Sequence, residues 1–198
     1  MVFCIYPGTP FRYSTMHNEI FDNLRYLRAG TIRQQRAYHL LEKYGLMETL
    51  RAFDPILAGT IPINIDVENS DLDIICCFTD KDVFKTITSK TFSVFKGFTL
   101  ADTIINDQET IVVNFNVEGW PVEVFGQYIP TREQNAYQHM IAEHQLLQYF
   151  GEAFRQQIIA LKNEEYKTEP AFAKALGLTG DPYLALLDPE LINRLKNK

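Results

Sequence analysis

The stretch "ILAGTIPINIDVENSDLDIICCF", residues 56–78, decides the fold because it places two acids inside a run that otherwise forms a buried strand. Only Leu72 separates Asp71 from Asp73. In a strand, residues i and i+2 point to the same face, so the two carboxylates project together. Burying two like charges beside apolar residues is costly unless a cation compensates them. Oxygen ligands of this kind suit Mg²⁺, which usually binds one or two carboxylates and the phosphates of its substrate.

A glycine turn precedes these acids, and a third acid follows them far along the chain. Gly59 ends the short apolar segment 56–58 and, lacking a Cβ, lets the backbone come close to a phosphate. The Thr60 hydroxyl and N–H can both donate to phosphate oxygens. Glu123 stands between two valines in a later strand-like segment. If that strand pairs beside the strand of the two aspartates, three carboxylates converge. They suffice to hold two metal ions about 3.5–4 Å apart for an in-line phosphoryl displacement.

Segments with helical spacing flank the strand-like segments on both sides. Thr31 is the predicted N-cap of the second helix and Gly45 its end. The pattern Thr131-x-x-Gln134 predicts a capping box for a long helix that Gly151 breaks. The predicted helices cover about 17–28, 32–44, 46–52, 80–91 and 131–149, with further helical segments to the C-terminus, and the predicted strands cover 56–58, 72–78, 95–105, 110–117 and 121–125. We therefore predict an α+β fold with a mixed five-stranded α/β sheet flanked by helices.

The spacing of these motifs resembles that of a known superfamily. An apolar-Gly-Thr turn, ten residues, Asp-Leu-Asp-Ile and a distant apolar-Glu-apolar strand resemble the nucleotidyltransferase superfamily, which has the polymerase-beta-like fold. Its first motif is usually Gly-Ser or Gly-Gly, and Gly-Thr keeps the hydroxyl. More narrowly, "QQRAYHLLEKYG" (34–45), "WPVEVFGQ" (120–127) and "AYQHMIAEHQLL" (136–147) are similar to the bacterial domain-of-unknown-function family number 4269, over about 20–187. That family supplies a fold and a site geometry but no substrate.

The resemblance implies a domain plan and a role for each motif residue. Residues 1–16 would form an N-terminal extension, 17–129 a catalytic core, and 130–198 a C-terminal helical region that packs on the core. The roles implied are nucleotide β/γ-phosphate binding for Gly59 and Thr60, metal binding for Asp71 and Asp73, and completion of the site by Glu123 as a ligand or as a base. The implied cofactor is magnesium (two Mg²⁺, or Mn²⁺), with an NTP as substrate.

Three functions remain open at the level of sequence. The resemblance implies a metal-dependent nucleotidyltransferase that moves an NMP group from an NTP to an unknown acceptor hydroxyl and releases pyrophosphate. A non-catalytic nucleotide-binding or partner-binding module on the same scaffold is the alternative. A third candidate is pyrophosphate transfer, as in alarmone synthesis, for which the sequence has no dedicated motif.

The helix after the last strand carries further polar candidates. His139 and Glu143 are four residues apart and share a helix face. Either they form an ordinary polar face, or the helix lines the cleft and His139 or the nearby Arg132 contacts the nucleotide. A metal site there needs a further ligand at zinc-like spacing, which the sequence does not offer. We expect Arg132 and His139 to be nucleotide contacts.

Composition limits the partners. The net charge of −6 argues against long nucleic acid, whose binding needs a basic surface. The adjacent Cys76 and Cys77 belong to no C-x-x-C motif, and free thiols fit a cytoplasmic location. No apolar stretch approaches the roughly 18 residues that span a bilayer, and we expect the N-terminus to be neither a signal peptide nor an anchor. We expect the partners to be a nucleoside triphosphate and its acceptor.

Overall fold

The structure, a computed structural model, describes residues 19–196 of the chain, without the side chain of Glu19. The predicted extension 1–16 lies outside the described residues. The helices are α1 (Arg25–Arg28), α2 (Ile32–Lys43), α3 (Leu46–Thr49), α4 (Lys81–Phe92), α5 (Asn135–Asn163), α6 (Thr168–Leu176), α7 (Pro182–Leu186) and α8 (Leu191–Lys196). The strands are β1 (Ile56–Ala58), β2 (Leu72–Cys77), β3 (Lys96–Ile105), β4 (Gln108–Val117) and β5 (Trp120–Gln127), and 3-10 turns cover Glu19–Asp22, Arg51–Phe53 and Thr131–Glu133.

The five strands form one mixed sheet in the order β1-β2-β5-β4-β3, which confirms the predicted fold. β5 runs parallel to β2, whereas all other neighbours are antiparallel. A parallel pair needs a long crossover connection. Here the crossover from β2 to β5 consists of α4 and the β3–β4 hairpin. This insertion brings the start of β5 beside the start of β2.

Each face of the sheet is covered by a different set of helices. On β2, Leu72 and Ile74 join the core formed with α1 to α4. Ile75 points to the other face and joins the core formed with α5 to α8. The alternation of a strand therefore places Asp73, like Ile75, on the face that α5 covers. Within the described residues, no helix is long and apolar enough to cross a membrane.

Three local helix signals of the sequence are confirmed, one at a helix start and two at glycines. Thr31 and Gln34 form a complete capping box at the start of α2. Gly45 follows that helix with φ 59°, in the left-handed region that glycine adopts at little cost. Gly151 has φ 76° and ψ −164°, which interrupts α5. The long helix thus consists of two helical segments, as predicted.

Two predictions at helix starts are wrong. The helix predicted over 17–28 is a 3-10 turn followed by the single turn α1, and the Asn23 carboxamide accepts the Arg25 N–H at 3.0 Å at this break. The capping box predicted at Thr131 does not form. Its hydroxyl donates instead to the Asp54 carbonyl oxygen at 2.7 Å, and the buried Gln134 side chain donates to a carbonyl oxygen of β2 at 2.8 Å. Long-range hydrogen bonds have replaced the local ones.

Gly126 in β5 leaves space that two aromatic rings of the core fill. A Cβ at this position would lie 2.6 Å from Cε1 of Phe84 and 3.0 Å from Cδ1 of Phe78. We expect Gly126→Ala to lower the free energy of unfolding by about 1–3 kcal/mol, since overpacking forces buried rings to shift. Urea unfolding measures this change. The exposed substitution Thr103→Ser should stay within about 0.5 kcal/mol of the parent. Equal midpoints for Gly126→Ala and the parent would contradict the close packing.

Candidate active site

A row of polar side chains crosses the sheet where β2 and β5 begin. Asp73 and Glu123 are register partners on these parallel strands. Ala58 is the β1 partner of Asp73, and Asn114 is the β4 partner of Glu123. Because partners in register point to the same face, the two carboxylates lie side by side beneath α5. Asp71, at the entry to β2, is exposed at the rim of this row.

The Asp73 carboxylate packs directly against the main chain at Gly59. The φ of Gly59 is +77°, and a Cβ built on this residue would lie 2.2 Å from Oδ2 of Asp73. That distance is far below any van der Waals contact, so only glycine allows the strand end and the carboxylate to come this close. A side chain at position 59 would also strain the backbone. The turn and the acid therefore constrain each other.

The carboxylates at this edge repel one another. The pKa of Asp73 is raised to about 7, mainly by burial and in part by the charges of Asp71 and Glu123. Burial also raises the pKa of Glu123, with a second contribution from Asp71. The acids are thus close enough to interact, and a divalent cation is the partner that would relieve their repulsion.

The carboxylates of Asp71, Asp73 and Glu123 fit Mg²⁺ because they offer oxygen atoms only, next to the turn at Gly59, which has no Cβ. The oxygen atoms of Asp71, Asp73 and Glu123 do not, however, all lie within 4.8 Å of one another. Within residues 19–196, the set of potential metal ligands that meets this distance is His139, Glu143 and Glu169.

Arg33 of α2 holds the loop that joins Gly59 to the acids. Its Nε lies 2.8 Å from Oδ2 of Asp66. Its Nη2 donates to the carbonyl oxygens of Glu68 at 2.9 Å and Ser70 at 3.2 Å. The guanidinium also stacks on the Trp120 ring at 4.6 Å from the centroid. One side chain thus ties the loop to α2 and to the start of β5.

Two further side chains fix the same loop from either side. Gln34, the capping residue of α2, donates to the carbonyl oxygen of Ile61 at 2.8 Å. Arg155 of α5 donates to the carbonyl oxygens of Ile63 and, at 3.2 Å, Asn64. Sequence reasoning missed these roles, because the partners lie about 30 and 90 residues away and the accepting groups are backbone carbonyls, which no side-chain motif reveals.

The sequence did not identify Lys162 either, although its charge interacts with acids of this site. The side chain is partly buried near the end of α5. Burial lowers the pKa of Lys162, whereas the charges of Glu143, Glu169, Asp66 and Asp71 raise it, in that order. Its own charge lowers the pKa of Asp73. A lone lysine in a polar helix carries no sequence signal for such a position.

Arg132 is not brought to the carboxylate row, contrary to expectation. Its guanidinium is 2.8 Å from Asp22 and 2.9 Å from Asp54. Asp54 precedes β1, whereas Gly59 follows it, so this ion pair lies at the opposite end of the strands from the acids. Two carboxylates already compensate the Arg132 charge there.

His139 is buried beneath the C-terminal helices. The side chain is only 7% exposed, and its ring meets the Tyr183 ring edge-on at 5.8 Å. His139 and Glu143 therefore do not form an ordinary polar surface, and a contact of His139 with the nucleotide stays a prediction. The charges that shift the pKa of Asp73 and Glu123 do not include His139.

The mixed sheet, the glycine turn and the acids at the starts of β2 and β5 agree with the nucleotidyltransferase-like fold that the sequence predicts. The sequence matches the family described as Domain of unknown function (DUF4269) over residues 39–188, and the chain belongs to this family. Among curated proteins, none matches the sequence.

Solved structures of similar fold are larger. Cid1, described for its RNA terminal uridylyl transferase activity, matches with a TM-score of 0.50 and 12% identity, over 73% of this chain and 47% of that chain. The Cid1 poly(U) polymerase with MgGTP bound gives a TM-score of 0.49 and 12% identity, over 72% and 47%. The GLD-2/RNP-8 complex gives 0.49 and 15%, over 83% and 66%. The chain spans about half the length of the Cid1 structures, and the likeness concerns the fold.

The raised pKa of Asp73 makes the metal-free protein less stable as the pH rises. With a pKa of about 7 when folded and an ordinary value of 3.8, the folded state retains a proton that the unfolded state releases. Stability therefore falls between about pH 4 and pH 7. Asp73→Asn cannot ionise, so we expect it to be more stable than the parent at pH 8, by up to about 4 kcal/mol, and to lose this advantage towards pH 4.

Thermal unfolding in the presence of a chelator measures this difference. Asp107→Asn, an exposed turn substitution, should shift the midpoint little at either pH. An Asp73→Asn advantage that is the same at pH 4.5 and pH 8 would contradict the raised pKa.

Proposed function

We propose that this protein is a metal-dependent nucleotidyltransferase that moves an NMP group from an NTP to an acceptor hydroxyl and releases pyrophosphate. The observation that carries the proposal is the contact of the Asp73 carboxylate with the main chain at Gly59, in register with Glu123. This contact places acids that need a cation directly beside a turn that a phosphate can approach. The fold of the superfamily supports the same reaction class.

Each residue of the site has a proposed task. Asp71, Asp73 and Glu123 would hold Mg²⁺ or Mn²⁺, which when bound neutralises phosphate charge and polarises the phosphoryl group. Gly59 and Thr60 orient the phosphates through the turn N–H groups and the hydroxyl. Thr60 is already oriented, since its Oγ1 donates to the Ser70 hydroxyl at 3.2 Å. Glu123 is either a ligand or the base that takes the proton of the acceptor hydroxyl.

Lys162 and the fixed loop support a site that is formed before the substrate binds. The ammonium group lies within the influence of Asp66 and Asp71, so it can balance part of the triphosphate charge. Arg33 and Arg155 hold the loop whose ends carry the phosphate turn and the acids. Phosphoryl transfer depends mainly on positioning and charge stabilisation, and a preformed loop serves both.

The acceptor is the open part of the proposal. By name, Cid1 has RNA terminal uridylyl transferase activity, so a short RNA 3′ end belongs among the acceptors to be tested, with small alcohols and protein hydroxyls. The net charge of −6 favours a short acceptor over long nucleic acid. We place the reaction in the cytoplasm, where the free thiols of Cys76 and Cys77 are stable.

A non-catalytic nucleotide-binding or partner-binding module on the same fold is the second candidate. It predicts tight NTP binding with no product. Incubation with each α-labelled NTP, Mg²⁺ and a bacterial lysate tests the two functions, because the enzyme attaches the label to an acceptor and releases pyrophosphate. Binding without transfer would favour the module.

We expect Asp71→Asn/Asp73→Asn to abolish Mg²⁺-dependent NTP binding because the two carboxylates anchor the cation that bridges to the phosphates. The loss should be at least about a hundredfold in affinity, or roughly 2.7 kcal/mol. Isothermal titration of a non-hydrolysable NTP, with and without Mg²⁺, measures it.

A matched double substitution controls for the change in charge. Asp102→Asn/Asp107→Asn removes the same two charges from the β3–β4 hairpin, where Asp102 forms only exposed ion pairs with Lys81 and Lys85. This variant should bind like the parent. Equal NTP affinity in the parent and in Asp71→Asn/Asp73→Asn would exclude the proposed site.

A further inference from the structure

A second group of potential ligands lies between α5 and α6. His139 and Glu143 occupy one face of α5, and Glu169 comes from the first turn of α6. One ring nitrogen of His139 and one carboxylate oxygen from each glutamate lie within 4.8 Å of one another. His139 is 7% exposed and Glu143 is 3% exposed. Glu169 is partly buried, so two of the three side chains are enclosed, unlike a set of acids on a surface.

The charge of the two glutamates has no contact partner in the described part of the chain. Burial raises the pKa of Glu143 well above its ordinary value, and the Glu169 charge raises it further. Lys162 is the cation that opposes this effect. No ion pair within 4.0 Å joins it to either glutamate among residues 19–196, and its ammonium donates instead to the Thr168 hydroxyl at 2.9 Å. A buried carboxyl group without such a partner either keeps its proton or binds a cation.

The imidazole of His139 gives an independent indication of a ligand. Its Nδ1 atom is buried and has no hydrogen-bond partner among the described residues. Buried polar atoms are nearly always hydrogen-bonded, so an unpartnered nitrogen on the ring that adjoins two carboxylates indicates a bound group. Burial lowers the pKa of His139, which favours the neutral imidazole that binds metals.

We propose that His139, Glu143 and Glu169 bind a divalent transition-metal ion of the Zn²⁺ class, at a site separate from the carboxylate row on the sheet. The donor set decides the class, since imidazole suits zinc and its neighbours whereas Mg²⁺ prefers oxygen alone. Three protein ligands leave a fourth position for water. The ion links α6 to the first segment of α5.

The surroundings of the site are consistent with this link. Asp181 caps α7 by accepting the N–H groups of Tyr183 and Leu184, and its charge acts on His139. The Tyr183 ring contacts the imidazole edge-on. A metal at this position would link α5 to α6, on which α7 packs, so its removal should loosen α6 and α7 more than the sheet.

Asp71→Asn/Asp73→Asn provides the background for the test, because it removes the carboxylates on the sheet as competing ligands. After treatment with a chelator, this protein is titrated with ZnCl₂ by calorimetry and unfolded by heat with and without Zn²⁺. We expect one Zn²⁺ per chain and a higher unfolding temperature with the ion. Mg²⁺ at millimolar concentration should not compete. Failure to bind Zn²⁺ would overturn this proposal and leave the nucleotidyltransferase proposal untouched.

Two glutamates close together in sequence provide the matched comparison. Glu169→Gln in the same background should weaken Zn²⁺ binding at least about tenfold, since it removes a ligand. Glu165→Gln removes the same charge from an exposed position outside the group and should leave binding unchanged. His139→Gln, verified as folded by circular dichroism, should behave like Glu169→Gln. Equal Zn²⁺ affinity in Glu169→Gln and Glu165→Gln would refute the assignment.

Discussion

The contact between the Asp73 carboxylate and the main chain at Gly59 is the constraint on which the rest of the site depends. Because a Cβ at position 59 would lie 2.2 Å from the acid, the turn after β1 and the start of β2 have one compatible arrangement. The antiparallel pairing of Ala58 with Asp73 then fixes β1, and the parallel pairing with Glu123 fixes β5. This steric constraint thus helps to determine where the acids of β2 and β5 lie.

Electrostatics sets the second condition. The protein gathers acids at two places, on the sheet beneath α5 and between α5 and α6, and in both burial raises the pKa of a carboxylic acid. Lys162 acts on both groups and cannot neutralise either alone, since one ammonium faces four carboxylates. The oxygen-only group suits Mg²⁺, whereas the group with an imidazole suits a zinc-class ion. The donor atoms therefore distinguish the two sites, which the net charge of the protein does not.

The C-terminal helices belong to the site as much as the sheet does. α5 covers the face that carries Asp73, and it supplies both Arg155, which holds the loop, and Lys162. The predicted division at residue 130 remains a prediction, but the packing makes the region after it part of the same structural unit as the candidate site. The geometry of the candidate site therefore depends on a helix that begins after residue 130.

The sequence alone determined the strands, most helix boundaries and the motif acids, because alternation, capping and turn chemistry act between residues near in the chain. Thr31, Gly45 and Gly151 are examples of such local signals. Only the tertiary structure decided where Arg132 points, that Arg33 holds the loop, and that Glu169 joins His139 and Glu143. Those outcomes depend on contacts between residues 26 to 110 positions apart. Pairings of this range arise from packing the sheet between two layers of helices, and no local periodicity encodes them.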